Sequence, residues 1–144
     1  MDPTGNSIFV DADIPMYAHG HEHPLRAACQ ACLARLVHTE DEAWTSTEIH
    51  QEIMYRYLSL ARPGQAVQVS HDFAVVVPII LPVTQQDIER AWRLMACYPG
   101  LGCRDYIHVA VMLNNHLRRI VSADSHFDLV DEIVRVPPQE FALE

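Results

Sequence analysis

The stretch IFVDAD, residues 8–13, decides how the rest of the chain is read. Ile8, Phe9 and Val10 are residues of a buried strand, and they run straight into two carboxylates, Asp11 and Asp13. Charge at the edge of a core costs free energy unless something compensates for it. A strand that ends on acids is therefore read as part of a site whose other members lie further along the chain.

Outward from this stretch, ADIPMYAHGHEH reads as a loop. PLRAACQACLARLVH reads as a helix, because Pro24 suits its first position and Leu25, Ala28, Cys29, Cys32, Leu33, Leu36 and Val37 recur at helical steps. WTSTEIHQEIMYRYLSLA predicts a second helix, with Thr45 and Glu48 at the spacing of a capping box and Ile49, Ile53, Tyr57 and Leu60 in one stripe, ended near Pro63-Gly64. QAVQVSHDFAVVVPIILPVT carries β-branched residues but also a polar interruption. It is assigned a short helix before Pro78 and a strand from Ile79 to Val83. Thr84 caps a helix over DIERAWRLMACY, which Pro99-Gly100 ends. Asp105 opens YIHVAVMLNNHL, a helix apolar on nearly all sides, and Ile120-Val121 and EIVRVP read as further strands.

Short apolar runs alternating with helices predict an α/β fold, a three-layer α/β/α arrangement around a central parallel sheet of about four to five strands. The expectation is a single domain over residues 1–144, with Leu143-Glu144 a candidate cloning remnant. The net charge is −9, from 19 acidic and 10 basic residues, and every basic residue is arginine. This balance argues against a broad phosphate-binding surface and leaves room for a local arginine patch. No apolar run approaches the ~20 residues of a membrane helix. MDPTGNS lacks the features of an export signal, so a cytoplasmic protein with Cys29, Cys32, Cys97 and Cys103 as thiols is expected.

The placement of the acids carries more than their number. In an open parallel sheet, ligands bind beyond the carboxyl ends of the strands where strand order reverses. Asp11 follows the first strand and Asp124 follows Ile120-Val121, so both would project there. Glu52 lies about 60° around its helix from Ile49 and faces partly inward. Asp105, favoured by the dipole at a helix amino end, points towards the same end of the sheet, with Asp13 and Asp128 close behind. Convergent carboxylates repel one another unless a cation neutralises them, and an oxygen cluster selects Mg²⁺ or Mn²⁺. The bland alternative is that Asp11 and Asp124 cap turns and Asp105 caps a helix; the pattern alone leaves both open.

The order of these segments resembles a known family. IFVDADIPMY, TSTEIHQEIMYRY, CRDYIHVAVM and IVSADSHFDLVDEIVRVPP are similar in sequence and spacing to the PIN-domain ribonucleases, above all to VapC-type toxins of bacterial toxin–antitoxin pairs. The resemblance covers about residues 7 to 138. It implies metal binding by Asp11, Glu52, Asp105 and Asp124, with Asp128 a frequent accessory acid and Ser122 a hydroxyl beside the site. It also implies Mg²⁺- or Mn²⁺-dependent cleavage of RNA through an activated water, a cognate antitoxin in the groove and a homodimer. Asp13 departs from the many relatives that carry asparagine there, and could either tighten metal binding or point outward. Arg104, Arg118 and Arg119 are the arginines expected to contact phosphate. Glu48 is assigned to capping.

Other readings compete. HGHEH and CQAC, within residues 19–32, invite a zinc site, although Cys29 and Cys32 fall on the apolar stripe of a helix. His108 and His116 read as satisfied core or helix-end histidines. Trp44, Tyr55, Tyr57, Trp92 and Tyr98 read as packing residues, with Tyr55 the most exposed candidate for stacking on a base. A catalytically silent interaction module of the same fold is the alternative from another class. A nuclease for structured DNA would need added clamp segments for which the chain is short.

Overall fold

A computed structural model describes residues 2–38 and 42–144. The opening apolar run forms β1 (Ile8–Val10), with all three side chains buried. There follow α1 (Asp13–His19), α2 (Arg26–His38), β2 (Ala43–Ser46), α3 (Thr47–Ser59), α4 (Pro63–Val76), β3 (Ile79–Leu81), α5 (Gln85–Cys97), α6 (Cys103–Asn114), β4 (Arg119–Val121), a 3₁₀ turn (Ser125–Leu129), β5 (Val134–Val136) and α7 (Pro138–Leu143). The strands form one five-stranded parallel sheet in the order β3-β2-β1-β4-β5, flanked by helices. This is the α/β/α arrangement that the alternation of apolar runs predicts. β1 sits at the centre, where Phe9 is in register with Trp44 on one side and Ile120 on the other. The core packs Phe9 with Phe73, Phe127 and Phe141 and with α6, whose Val109, Ala110, Val111 and Met112 are almost wholly buried. That explains why α6 reads as apolar all round.

Four local expectations are corrected. The segment after Asp11 is not a loop: α1 begins at Asp13, buries Ile14, Pro15 and Ala18, and tolerates Pro15 because the first turn has no use for its missing N–H. Trp44 and Thr45 belong to β2 rather than to the following helix, their burial in the sheet outweighing the capping-box spacing. The cap is Ser46, whose Oγ accepts from the Ile49 amide at 3.3 Å, while the Thr45 hydroxyl donates to the Val10 carbonyl at 3.3 Å. Glu48 is thereby free of capping and lies 3.8 Å from Arg104. Pro63 starts α4 after a left-handed Ala61 (φ 57°) breaks the chain direction, and β3 stops at Leu81.

Thr84 and Asp87 form the capping box of α5. Asp87 Oδ2 accepts from the Thr84 amide at 2.8 Å, and its Oδ1 accepts from Asn114 Nδ2 at 2.7 Å, which ties α5 to the end of α6. Losing a cap costs about 1 kcal/mol and stranding a buried polar partner about 1–3 kcal/mol. Asp87→Ala is expected to lower stability by about 2–3 kcal/mol, read as a fall in the urea midpoint at unchanged slope.

Candidate metal centre

From β1 the chain runs outward to β2 and β3, then crosses to β4 on the other side of β1, so strand order reverses between β1 and β4. Asp11 stands at this reversal, its amide donating to the Val121 carbonyl at 3.2 Å, and Asp124 follows closely beyond β4. Asp11 is buried, with Oδ1 accepting from the Ala12 amide at 2.8 Å and Oδ2 lying 2.6 Å from the Ser122 hydroxyl. Burial lifts its carboxyl from 3.8 to about 6; His108 and the Ser122 hydrogen bond oppose the rise, and the Glu52 charge adds to it.

Asp13 turns inward, not outward. Its Oδ2 accepts from the Ala123 amide at 2.9 Å and lies 3.3 Å from Ser122 Oγ, so it ties the start of α1 to the loop after β4. Its Oδ1 is buried without a hydrogen-bond partner among the described residues. Burial, and after it the charge of Asp11, hold this carboxyl well above the ordinary range. Ser122 has one proton to donate, and the shorter distance assigns it to Asp11. Its oxygen also accepts from the Asp124 amide at 3.0 Å.

The other walls come from α3 and α6. Glu52 Oε1 lies 3.0 Å from Nε2 of His108, a histidine with no exposed surface, whose Nδ1 has no partner among the described residues. Burial pulls the His108 pKa down, but the bond to Glu52 and the charges of Asp11, Glu52 and Asp105 outweigh it and leave it raised. Asp11, Glu52 and His108 each offer a ligand atom, and these atoms lie within 4.8 Å of one another. Asp105, in the first turn of α6, stands one turn before His108; burial raises its pKa, His108 opposes, and Asp124 and Glu52 add to the rise. Asp124 caps the 3₁₀ turn through Oδ1, which accepts from the His126 amide at 2.9 Å and lies 2.7 Å from His126 Nδ1. The capping alternative is thus correct for one of its oxygens, and Oδ2 makes no hydrogen bond among the described residues.

His108 is buried and hydrogen-bonded, as the reading of a core histidine expects, but the sequence reading did not foresee that its partner would be Glu52, beside the acids. The spacing of His108 one turn from Asp105, on the same face of one helix, was the available signal.

The remaining expected residues fall elsewhere. Asp128 is exposed and held bidentately by Arg135, at 2.9 and 3.0 Å, which holds its carboxyl below the usual range. Arg135 also donates to the Ser122 carbonyl at 3.1 Å, so Asp128 reaches the acids only through this arginine. Arg118 and Arg119 are not brought to the acids: they lie at the amino end of β4, whose far end carries the site, and Arg119 pairs with Glu144 at 2.9 Å. Arg104 stays on the side of Asp105, against Glu48 and over the ring of Tyr55 at 4.5 Å. Trp92 rather than Tyr55 is the more exposed aromatic, at 64% against 56%.

The zinc reading finds no ligand group among the described residues. Cys29 and Cys32 are buried in α2, where burial pushes their thiols up to about 12 and about 11, and Cys32 Sγ donates to the Pro138 carbonyl at 3.1 Å. His23 stacks on Tyr17 at 4.2 Å.

A divalent cation fits the centre. Asp11, Asp13 and Asp105 all have raised pKa values from burial and the repulsion of neighbouring acids, and the unpartnered Asp13 Oδ1 adds a further buried acceptor. Positive charge brought among them would relieve both costs.

Comparison with known proteins gives the family. The family model of the PIN domain matches residues 8–133. The chain is 35% identical over 130 residues to ribonuclease VapC13 of Mycobacterium tuberculosis, covering 90% of this chain and 98% of that one. Among solved structures, the M. tuberculosis toxin VapC20, described as cleaving the sarcin-ricin loop, superposes with a TM-score of 0.75 at 18% identity over 90% of this chain and 98% of its own. A toxin–antitoxin complex from Klebsiella pneumoniae gives 0.67 at 16% identity, over 92% and 98%. The chain belongs to the PIN domain family and, within it, to the VapC ribonucleases. No helix among the described residues is long and apolar enough to cross a membrane.

Proposed function

We propose that this chain is the RNA-cleaving toxin of a toxin–antitoxin pair, acting in the cytoplasm through a divalent cation held by Asp11, Glu52, Asp105 and Asp124. The observation that carries the reading is the meeting of Asp11, Glu52 and His108 within 4.8 Å at the reversal of strand order, in a chain of this family. The carboxylates select Mg²⁺ or Mn²⁺, which would supply an activated water and charge stabilisation at a phosphodiester. The protein's own part is to fix the carboxylates. Asp11 is held between the Ala12 amide and Ser122, Glu52 is held by His108, and the Asp128–Arg135 pair fixes the Ser122 loop. Asp13 is an accessory acid through its unpartnered oxygen.

Single-stranded or looped RNA suits an open crevice better than an A-form duplex, whose deep narrow groove hides the bases. A cognate antitoxin is the partner this reading carries, supported by the likeness to a toxin–antitoxin complex. Pairing of two copies belongs to the same reading, and the exposed Trp92 and Met95 of α5 supply apolar surface for it. The test is cleavage of a mixed pool of unstructured RNA by purified protein with Mg²⁺ or Mn²⁺. Cutting that stops with EDTA and with Asp105→Asn is the expected result. No cutting with either metal would leave the silent interaction module as the better account.

A further inference from the structure

A cavity of about 580 Å³ opens beside the carboxylates, between α1, the histidine loop after it, the end of α3 and the start of α4. Asp13 is one wall, so the cavity adjoins the centre through the residue that Ser122 links to Asp11. Two features set it apart on a chain with nine negative charges in excess. Arg56 and Arg62, both exposed, line it together, and neither has an ion-pair partner among the described residues. Arg104, Arg119 and Arg135 are each paired with an acid, and what distinguishes Arg56 and Arg62 from the other arginines without an ion pair is that the two share one cavity. In the same lining, the Tyr17 and His23 rings stack at 4.2 Å with 20° between their planes, a flat aromatic pair at the cavity wall.

Two unpaired guanidiniums sharing one cavity call for an anion, and an aromatic pair beside them calls for a planar ring. The volume falls in the range of small-ligand sites. We propose that this cavity is a nucleotide subsite: it takes one unpaired nucleotide of the RNA next to the bond held at Asp11, with Arg56 and Arg62 on a phosphate and the base against the Tyr17–His23 pair. The inference rests on the ribonuclease reading and adds to it where the strand runs. The HGHEH segment, which contributes to no candidate ligand group among the described residues, thereby acquires a role as the wall that holds a base.

The experiment separates binding from cutting. Binding of an unstructured 12-nucleotide RNA is measured in EDTA at pH 8 over a range of salt concentrations, for the parent, Arg56→Gln/Arg62→Gln and His23→Ala. Each phosphate neutralised on a single strand contributes about 0.7 to the salt slope, so the double arginine variant, which gives up the one phosphate the two share, is expected to lose about 0.7 from it. His23→Ala is expected to bind about 10-fold more weakly with the slope unchanged, as fits loss of stacking. An arginine variant with the parent's slope and affinity overturns the subsite and assigns the cavity to a protein partner instead. A parent that binds no RNA in EDTA overturns it too. Failure of the parent to cut RNA when metal is restored would tell against the ribonuclease reading alone, because the binding readout does not pass through cleavage.

Discussion

Asp11→Asn is expected to lower metal-dependent RNA cleavage by at least ~100-fold, since even a partner that only orients a metal ligand is worth about 10–100-fold. The same variant is expected to stabilise the metal-free fold. The Asp11 carboxyl is raised from 3.8 to about 6, chiefly by burial. A carboxyl whose folded pKa is raised favours the folded state below its unfolded pKa and loses that contribution as pH rises through the folded value. The parent should therefore weaken relative to Asp11→Asn between about pH 4 and about pH 6, by on the order of 2–3 kcal/mol across the window. Asparagine keeps an acceptor for the Ala12 amide, and the Ser122 hydroxyl can turn to accept from the new amide. Urea midpoints at several pH values in EDTA read the stability, and Mn²⁺ should raise the parent's midpoint but not the variant's. A variant that cuts RNA as fast as the parent would remove Asp11 from the metal centre.

What the sequence could and could not disclose follows from the range of the interactions involved. The strand at Ile8–Val10, the cap at Thr84 and the buried α6 are local patterns, and each lies where periodicity and capping chemistry put it. β2 escaped because Trp44 and Thr45 run directly into the helix after Ser46, and only pairing with β1 and β3 makes them a strand. α1 escaped because Pro15 and Gly20 read as loop punctuation, while the burial of Ile14 and Ala18 that decides the matter is tertiary. The acids were legible because a parallel sheet sends strand ends to one edge. Their partners were not. The sequence leaves the direction of Asp13 open, and the Ala123 amide fixes it from more than a hundred positions away. Arg118 and Arg119 have the charge for phosphate contact but sit at the wrong end of the strand, which charge alone does not disclose.

His108 gives the other large expected effect. Its Nε2 meets Glu52 across the gap between α6 and α3, and a helix holding two members of the centre, Asp105 and His108, moves both if it shifts. Replacing it with leucine fills most of the space but leaves Glu52 without its hydrogen-bond partner. His108→Leu is expected to reduce cleavage and Mn²⁺ affinity about 10–100-fold. His108→Gln, whose side-chain amide can place an N–H near the position of Nε2, should recover much of that loss. Both variants should fold, and near-ultraviolet circular dichroism checks this before activity is compared. The two substitutions separate a histidine that orients a metal ligand from one that only fills the core, since packing alone predicts no advantage of glutamine over leucine at a fully buried position. If leucine cuts RNA within about twofold of the parent, the reading of His108 as a core residue is correct and Glu52 is held by the fold without it.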